Sequence, residues 1–425
     1  MSTSPSADLN HMSDNTFLSV GQAQQLICEK LTEISDFENV PLRAALGRVL
    51  ANDILSPINV PAHDNSAMDG FAFDSTQLSP DHALTLTIIG EALAGHPYNT
   101  IVPKGSCIRI MTGAVMPPCC DTVVPQELTI NPTQNTITIP TNAVRAGDNR
   151  RLCGEDLKSG KIALAKGKRI NPAGLGLIAS LGIDMVAVKR RLKVAYFSTG
   201  DEVRSLGEKL DEGCIYDSNR YTIYGMLTRL DCEVIDMGVI TDHPDALELA
   251  LREACAQADA IITSGGVSVG AADYTKQVMA KLGQVAFWTI GMRPGRPMAF
   301  GQIQSNNKSA YLFGLPGNPV AVMVTFYFFV KQALHHLMGE NSEQILLIPA
   351  SSRHPIRKRR GRTEYQRGIA SRNAQGALEV AVTGSQGSGV LRSMSEANCM
   401  IVLNDEQNNI AAGELVEIIL FDGLV

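Results

Sequence analysis

Hydrophobic and polar positions fall into four successive textures along this chain: helical spacing, β alternation, strand–helix repeats, and β alternation again. Behind a polar start, Ala23, Leu26, Ile27, Leu31 and Ile34 recur at the spacing of one helix face. Ser19-Val-Gly-Gln22 heads that run and reads as a capping box, in which each side chain satisfies the other residue's backbone N–H. Pro41 suits a first helical turn, and Leu42, Ala45, Leu46, Val49 and Leu50 form a stripe, so a second helix is expected there. Two short amphipathic helices do not fold alone and must pack on later parts of the chain.

From Ser56 to about Gly147 the pattern shortens. Leu84 to Ile89, Cys107 to Met111, Thr122 to Val124 and Thr136 to Ile139 are β-rich runs separated by Pro and Gly, which predicts a small all-β or mixed domain. A strand and turn follow at Gly160 to Gly167. Asn171-Pro172 then reads as a helix cap with Pro at the first helical position, leading into Ala173 to Leu181. This helix is expected to rejoin the N-terminal pair, making the β region an insertion.

From Leu192 to about Gly339 strands alternate with helices. The strands are Val194 to Ser198, Glu233 to Ile240, Asp259 to Thr263 and Ala310 to Leu315; the helices are Ser218 to Leu230, Asp245 to Ala258 and Thr275 to Leu282. Such alternation predicts βαβ units, right-handed crossovers and a doubly wound parallel sheet. From Gln344 the chain returns to β alternation and closes with Leu415 to Phe421, as a small β-barrel or sandwich.

Composition narrows the classes. Hydrophobic residues make up 44% and charged residues 19% of 425 residues, ordinary for a globular protein of three or four domains at roughly 150 residues each. The net charge of −6 argues against a general nucleic-acid binder, so an anionic ligand must be gathered by local Arg, Lys or backbone N–H groups. The polar N-terminus, MSTSPSADLNHMSDNT, predicts disorder over 1–16 and no signal peptide. The most apolar run, Val320 to Val330, ends at Lys331, short of the ~20 residues of a membrane span, and reads as a buried helix. Nine scattered cysteines without a C-x-x-C pair, and eight histidines without H-x-x-x-H or H-E-x-x-H spacing, fit neither a zinc site nor a disulfide framework. A soluble, cytoplasmic protein without a membrane partner is the expectation.

Candidate chemistry sits where strands end, because open parallel sheets bind ligands at their carboxyl edge. Four strand ends lead into Thr199-Gly-Asp-Glu202, Thr241-Asp242, Ser264-Gly-Gly-Val-Ser-Val-Gly270 with Asp273 beyond, and Pro316-Gly-Asn-Pro319. Gly265, Gly266 and Ser268 offer unshielded backbone N–H groups for a phosphate or another oxyanion. The loop lacks the Lys of a G-x-x-x-x-G-K-[ST] phosphate loop, which excludes that class of ATPase. Glu202, Asp242 and Asp273 are candidate Mg²⁺ carboxylates, Mg²⁺ preferring a few acids plus substrate phosphate oxygens. Arg293 and Arg296 add fixed positive charge, and Asn318 between two prolines presents its amide in a set direction.

A second cluster lies in the β region: Pro61-Ala-His-Asp64-Asn-Ser-Ala-Met-Asp69-Gly-Phe, Arg109-Ile-Met-Thr112-Gly-Ala, Arg145 to Arg151, and Gly154-Glu-Asp156. Bland readings stand beside each. Asp-Asn-Ser and Asn-Pro make turns, Gly-Gly after a strand makes a tight turn, and Asp242 suits the cap of a helix beginning near Pro244. The basic run Arg357 to Arg362 suits a solvated surface.

Taken in order, Pro61 to Ala72, Arg109 to Ala114, Ser198-Thr-Gly-Asp-Glu, Tyr216-Asp-Ser-Asn-Arg, Ser264 to Gly270, Asp273-Tyr and Leu315-Pro-Gly-Asn-Pro resemble the molybdopterin molybdenumtransferase family, the MoeA proteins and the E domain of gephyrin. The resemblance covers nearly the whole chain from about residue 17. It implies a multidomain α+β fold. A segmented helical platform would span 17–55 and 148–190, with an inserted β-rich domain at 56–147. A doubly wound α/β domain of the molybdopterin-binding type would span 191–340, followed by a C-terminal β-barrel domain at 341–425.

The resemblance further implies a Mg²⁺-assisted reaction in which molybdate enters adenylylated molybdopterin, releasing AMP and molybdenum cofactor. It implies a homodimer whose cleft lies between the α/β domain of one subunit and the β insertion of the other, with transient contacts to the molybdopterin adenylyltransferase and to molybdoenzyme apoproteins. Carried onto matching positions, it marks Asp64, Thr112, Glu202, Asp242 and Asp273 as catalytic. It marks Asp156, Pro316 and Pro319 as substrate-binding, beside Gly265, Gly266, Ser268, Arg293, Arg296 and Asn318, which the residues' own chemistry puts forward as substrate-binding. Asp242 and Asp273 would serve the metal, and Arg362, Arg367 and Ser388 molybdate.

Two departures stand out. Arg293 and Arg296 replace the lysines of the family's K-P-G-K-P segment, exchanging a point charge for a planar fork. Pro118-Cys119-Cys120-Asp121 stands where the family shows Gly-Ala-Asp. Two rival readings are an adenylyltransferase, which shares the α/β domain, and a non-catalytic peptide-binding scaffold.

Overall fold

The computed structural model of the chain describes residues 17–266, 273–341 and 345–423, so the disorder expected over 1–16 lies outside the described residues. The chain divides into two compact units. One comprises the chain up to Glu38, residues 47–49 and everything from Val188 onward; the other comprises 39–46 and 50–187.

The second unit is built on a five-stranded sheet in the order Thr122–Pro125, Gly70–Phe73, Ser106–Ile110, Leu84–Ala92, Thr136–Ile139. Both faces are covered. Ala72, Ile108, Ile110 and Val123 enter one core, and Phe71, Phe73, Cys107 and Val124 the other, as the two-residue period of a strand requires. The helix Pro172–Ser180 forms as its cap predicts, with Asn171 Oδ1 accepting from the Gly174 N–H at 2.8 Å. The helix expected from Pro41 does not form. Leu42–Ala45 is a single 3₁₀ turn, packed against Pro172–Ser180. It stops because Gly47 takes a left-handed φ of 78°, a conformation that breaks a helix and suits glycine.

In the first unit, the helix Val20–Lys30 carries the complete capping box of Ser19 and Gln22. It packs on the segment Phe326–Leu337, where Gln24 donates to the Phe328 carbonyl at 2.9 Å. The six-stranded sheet runs Glu233–Ile240, Lys193–Thr199, Ala260–Ser264, Lys308–Leu315, Pro297–Ser305, Gly283–Thr289. The first four strands are parallel; Pro297–Ser305 runs antiparallel to both of its neighbours, so the sheet is mixed rather than wholly parallel. A tight hairpin explains this. Asn306 and Asn307 both take positive φ, 49° and 62°, the geometry of a two-residue turn that joins Ser305 to Lys308.

Alternate residues of Lys193–Thr199 face opposite layers. Val194 and Tyr196 join the core of Ser218–Arg229 and the helix after Asn318; Ala195 and Phe197 join that of Pro244–Gln257 and Asp273–Leu282. The sheet is therefore doubly wound. The apolar run continues past Lys331: Pro319–Leu337 is 19 residues of helix, with a five-residue π segment at Phe326–Val330, and 72% of its most apolar stretch is buried in the core.

The C-terminal strands resolve the choice between barrel and sandwich. Thr363–Arg372, Leu378–Val382, Ile348–Ser352, Leu415–Leu420 and Cys399–Leu403 pair in that order, and the last pairs back to the first, closing a five-stranded barrel. Val380, Ile401, Val416 and Ile418 fill its interior.

Candidate active site

The strand ends of the α/β sheet meet on one rim. Gly265 and Gly266 lie across the end of the neighbouring strand with φ of 93° and 68°. A Cβ on Gly265 would stand 2.5 Å from the Thr199 carbonyl oxygen, and one on Gly266 3.2 Å from Thr199 Oγ1. Only glycine permits that approach, and the turn therefore carries no side chain over the strand end. The Gly265 N–H donates to the Leu315 carbonyl at 3.1 Å, fixing the loop beside the buried Pro316. Asn219 Nδ2 donates to the Gly317 carbonyl at 2.8 Å. Asn318 precedes the helix that Pro319 begins, and its side chain makes no cap bond, so its amide is not spent on the helix.

The acids arrange themselves beside this loop. The Asp242 N–H donates to Asp201 Oδ1 at 3.3 Å, tying adjacent strand ends together. Asp242 is half-buried, and it is not the cap of the following helix: His243 is, accepting from the Asp245 N–H through Nδ1 at 3.3 Å. Glu202 is exposed and folds back over Gly200, where a Cβ would lie 2.7 Å from its Oε2. No helix follows Glu202, so the acid pair 201–202 does not sit on a helix N-terminus. Asp273 is the first residue of Asp273–Leu282. Ser268 lies outside the described residues. Among the described residues no group of three or more His, Cys, Asp or Glu side chains stands ready to hold a metal ion.

The state of several rim side chains is not legible in the sequence. Thr199 Oγ1, Asp217 Oδ2 and Asn219 Oδ1 are buried with no hydrogen-bond partner among the described residues. Asp217 caps Ser218–Arg229, accepting from the Arg220 N–H at 3.0 Å through its other oxygen. Beneath the rim, Tyr196 Oη sits 2.7 Å from both Ser198 Oγ and Ser264 Oγ. Burial pushes the Tyr196 phenol well above its ordinary range, and the nearby Asp217 charge adds to it.

The basic residues form two groups in this unit. The guanidinium groups of Arg296 and Arg362 lie over the same Phe17 ring, at 4.6 and 5.5 Å from its centre. Arg367 is only 1% exposed, and it donates to Ser393 Oγ at 3.0 Å and to the carbonyls of Gly387 at 3.0 Å and Ser385 at 3.4 Å. No carboxylate is among these acceptors. Burial pushes its pKa down to about 10, and the positive charge of Arg293 adds to the effect. The Ser388 carbonyl accepts from the Val320 N–H at 3.0 Å, holding the loop that binds Arg367 against the start of the Asn318 helix. Arg293, itself exposed, extends a strand paired with Thr363 and Glu364. Arg293, Arg367, Ser388 and Asn318 thus gather; Arg296 and Arg362 keep company with Phe17.

In the other unit, Asp64 is held at both oxygens. Oδ1 accepts from the Cys153 N–H at 2.7 Å; Oδ2 accepts from Arg150 Nε at 2.9 Å and also from Nη2. The Cys153 N–H holds its carboxyl below the usual range; burial opposes this and Arg150 reinforces it. Thr112 donates both Oγ1–H and N–H to Asp69 Oδ1 at 2.7 Å, and these two bonds hold the Asp69 carboxyl down as well. Asp156 is exposed, its N–H bonded to the Val60 carbonyl at 3.1 Å. An open groove of about 890 Å³ in this unit is lined by Phe71, Glu91, Arg109 and Gln126 among others, and not by Asp64, Thr112 or Asp156.

A doubly wound layer with amide-rich and acidic strand ends, joined to a closed β-barrel and to a separate β unit, defines a multidomain protein that takes a ligand at its sheet edge. Comparison with known proteins makes this particular. Residues 18–182 match the MoeA N-terminal region (domain I and II), residues 195–336 a probable molybdopterin binding domain, and residues 349–421 the MoeA C-terminal region (domain IV).

A Haemophilus influenzae protein named molybdopterin molybdenumtransferase is 42% identical over 409 residues, covering 96% of this chain and all of that one. A Nostoc protein of the same name is 34% identical over 91% of this chain and 89% of its own. The crystal structure of a molybdopterin biosynthesis MoeA protein from Pyrococcus horikoshii superposes with a TM-score of 0.80 at 28% identity, over 95% of this chain and all of that one. The chain belongs to the MoeA family of molybdenum cofactor biosynthesis.

Proposed function

We propose that this chain inserts molybdate into adenylylated molybdopterin, with release of AMP and molybdenum cofactor. One observation carries the reading: the glycine turn pressed onto Thr199 keeps side chains off one strand end of the sheet edge whose other strand ends lead to Glu202, Asp242 and Asn318. Bare amides suit the oxygens of a phosphoanhydride, and a cleaved anhydride leaves charge that fixed dipoles and cations stabilise. Asp273, the first residue of its helix, is assigned to the same acid set by the family resemblance.

Molybdate is a tetrahedral dianion. Among the described residues Arg367 is a buried cation without a carboxylate partner, with Arg293 and Ser388 near it, and this group suits such an ion. Arg296 and Arg362 stand farther out and would steer anions inward. Asp64, Thr112 and Asp156 belong to the other unit, and we assign them to the site of a partner subunit in a homodimer, the arrangement the family resemblance implies. The adenylyltransferase and molybdoenzyme apoproteins are the transient partners that arrangement would serve, in the cytoplasm.

The carboxylate of Asp242 is a hard oxygen donor of the kind Mg²⁺ takes, and the resemblance adds Asp273; such an ion keeps several waters and takes substrate phosphate oxygens. Bound there, the ion would offset charge on the phosphates. The chain's own groups do the rest. The glycine turn orients the phosphate chain, Asn318 directs one amide into the edge, and Glu202 positions substrate or moves a proton.

Incubation with adenylylated molybdopterin and molybdate tests this directly. AMP release that depends on molybdate supports insertion. Adenylylated product formed from molybdopterin and ATP, without a partner enzyme, would favour the adenylyltransferase reading instead.

A further inference from the structure

Asp64 and Arg150 lie far apart in sequence, and strand geometry brings them together. The two-residue strand Arg150–Arg151 pairs antiparallel with Asn65–Ser66, Ser66 opposite Arg150 and Asn65 opposite Arg151. Side chains alternate across such a ladder. Arg151 therefore turns to Glu155, with Nε 3.0 Å from Oε1, while Arg150 turns to Asp64. Two guanidinium N–H groups converge on Oδ2 and the Cys153 N–H takes Oδ1. Asp64 is further tied by its own carbonyl, which accepts from the Met116 N–H at 2.9 Å. Arg150 and Asp64 are each 29% exposed, so the pair is partly withdrawn from solvent and is not an ordinary surface contact.

We propose that Arg150 is a positioning residue: it fixes the rotamer of Asp64 and keeps that carboxylate ionised, so that its unshared lone pairs face substrate in one orientation. The inference rests on the reading of Asp64 as a catalytic residue. Arg150 touches no reacting atom. Its part is to remove the rotation about the Asp64 side chain that would otherwise scatter the carboxylate, and to supply a fixed positive charge. Two other charges bear on the pair. Glu155 feels the Asp64 carboxylate, and Asp121 feels Arg150. Both are acids and neither replaces the guanidinium.

Three variants test the proposal, assayed as the full-length protein: Arg150→Gln, Arg150→Lys and Asp64→Asn. Misplacing a reacting group costs about a hundredfold. Arg150→Gln is expected to lower kcat about tenfold to a hundredfold with KM nearly unchanged, and to move the acid limb of the pH profile upward. Arg150→Lys restores the limb, because charge returns, but only part of kcat, because the fork does not. The Asp64 carboxyl followed by carbon NMR reads the clamp without turnover: its titration midpoint rises in Arg150→Gln. A midpoint unchanged in that variant overturns the proposal, whatever the activity. Full activity in Asp64→Asn, with a raised midpoint in Arg150→Gln, would instead leave the clamp standing and remove the catalytic reading of Asp64.

Discussion

Gly265 lies so close to Thr199 that a Cβ in its place would come within 2.5 Å of the Thr199 carbonyl oxygen. This contact joins the ends of two neighbouring parallel strands and holds the glycine turn on the sheet edge. It also gives the first prediction. Gly265→Ala must relieve a backbone clash and adopt a left-handed φ, the latter alone costing about 1–2 kcal/mol. Thermal unfolding should show the loss of stability, and AMP release should fall with it; a variant as stable and active as the parent would mean that the turn does not need its glycine.

Thr112 and Asp69 make a second testable pair. The Thr112 hydroxyl and N–H both donate to one Asp69 oxygen and hold that carboxyl below its ordinary range. Thr112→Val removes one donor and keeps the other. The Asp69 titration, followed by carbon NMR, should move upward. The sign for stability follows from linkage. A carboxyl lowered in the folded state favours folding above the unfolded carboxyl's pKa, and this contribution fades as pH falls through the folded value. The variant should therefore lose less stability than the parent on acidification through that window.

Arg367 gives a third. Its guanidinium is buried, lowered to about 10 by that burial and by Arg293, and bonded only to neutral oxygens. A depressed base opposes folding at neutral pH, since the unfolded chain holds the proton more tightly, and the penalty is relieved as pH rises past about 10. An oxyanion beside Arg367 offsets the same penalty. Molybdate should thus raise the Tm of the parent, as any ligand of the folded state does, and should leave Arg367→Met unmoved. An equal rise in both would place the dianion elsewhere.

Much of this architecture is legible in the residues. Ser19 with Gln22, and Asn171 before Pro172, announce helix starts through local hydrogen bonds, and local bonds survive into the fold. The strands ending at Thr199, Ser264 and Leu315 show as apolar runs because both faces are buried, while the edge strand ending at Ile240 is only partly covered. What stays hidden is set by distance in sequence. The stripe after Pro41 looks helical, yet Gly47 interrupts it. Pro297–Ser305 carries Gly, Gln and Ser and lacks a clean alternation; its pairing with Lys308–Leu315 decides its state.

The candidate site divides the same way. Acids and glycines at strand ends can be listed from sequence, because the binding edge of a parallel sheet is a general property. Their partners cannot. Nothing near Asp64 in sequence marks Arg150 as its clamp, and nothing in the basic run Arg357 to Arg362 separates the exposed face from Lys358, whose Nζ turns inward to the Arg359 carbonyl at 2.7 Å. Asp217 shows its capping role and hides its unpartnered second oxygen.

The central claim is that acids from separate strand ends act together with the glycine turn on an adenylylated pterin. Single-turnover AMP release from adenylylated molybdopterin, with and without molybdate, tests it most directly in the parent, Glu202→Gln and Asp273→Asn. The account predicts molybdate-dependent release in the parent and its loss in both variants, each still folded by circular dichroism. Undiminished release in both would contradict it.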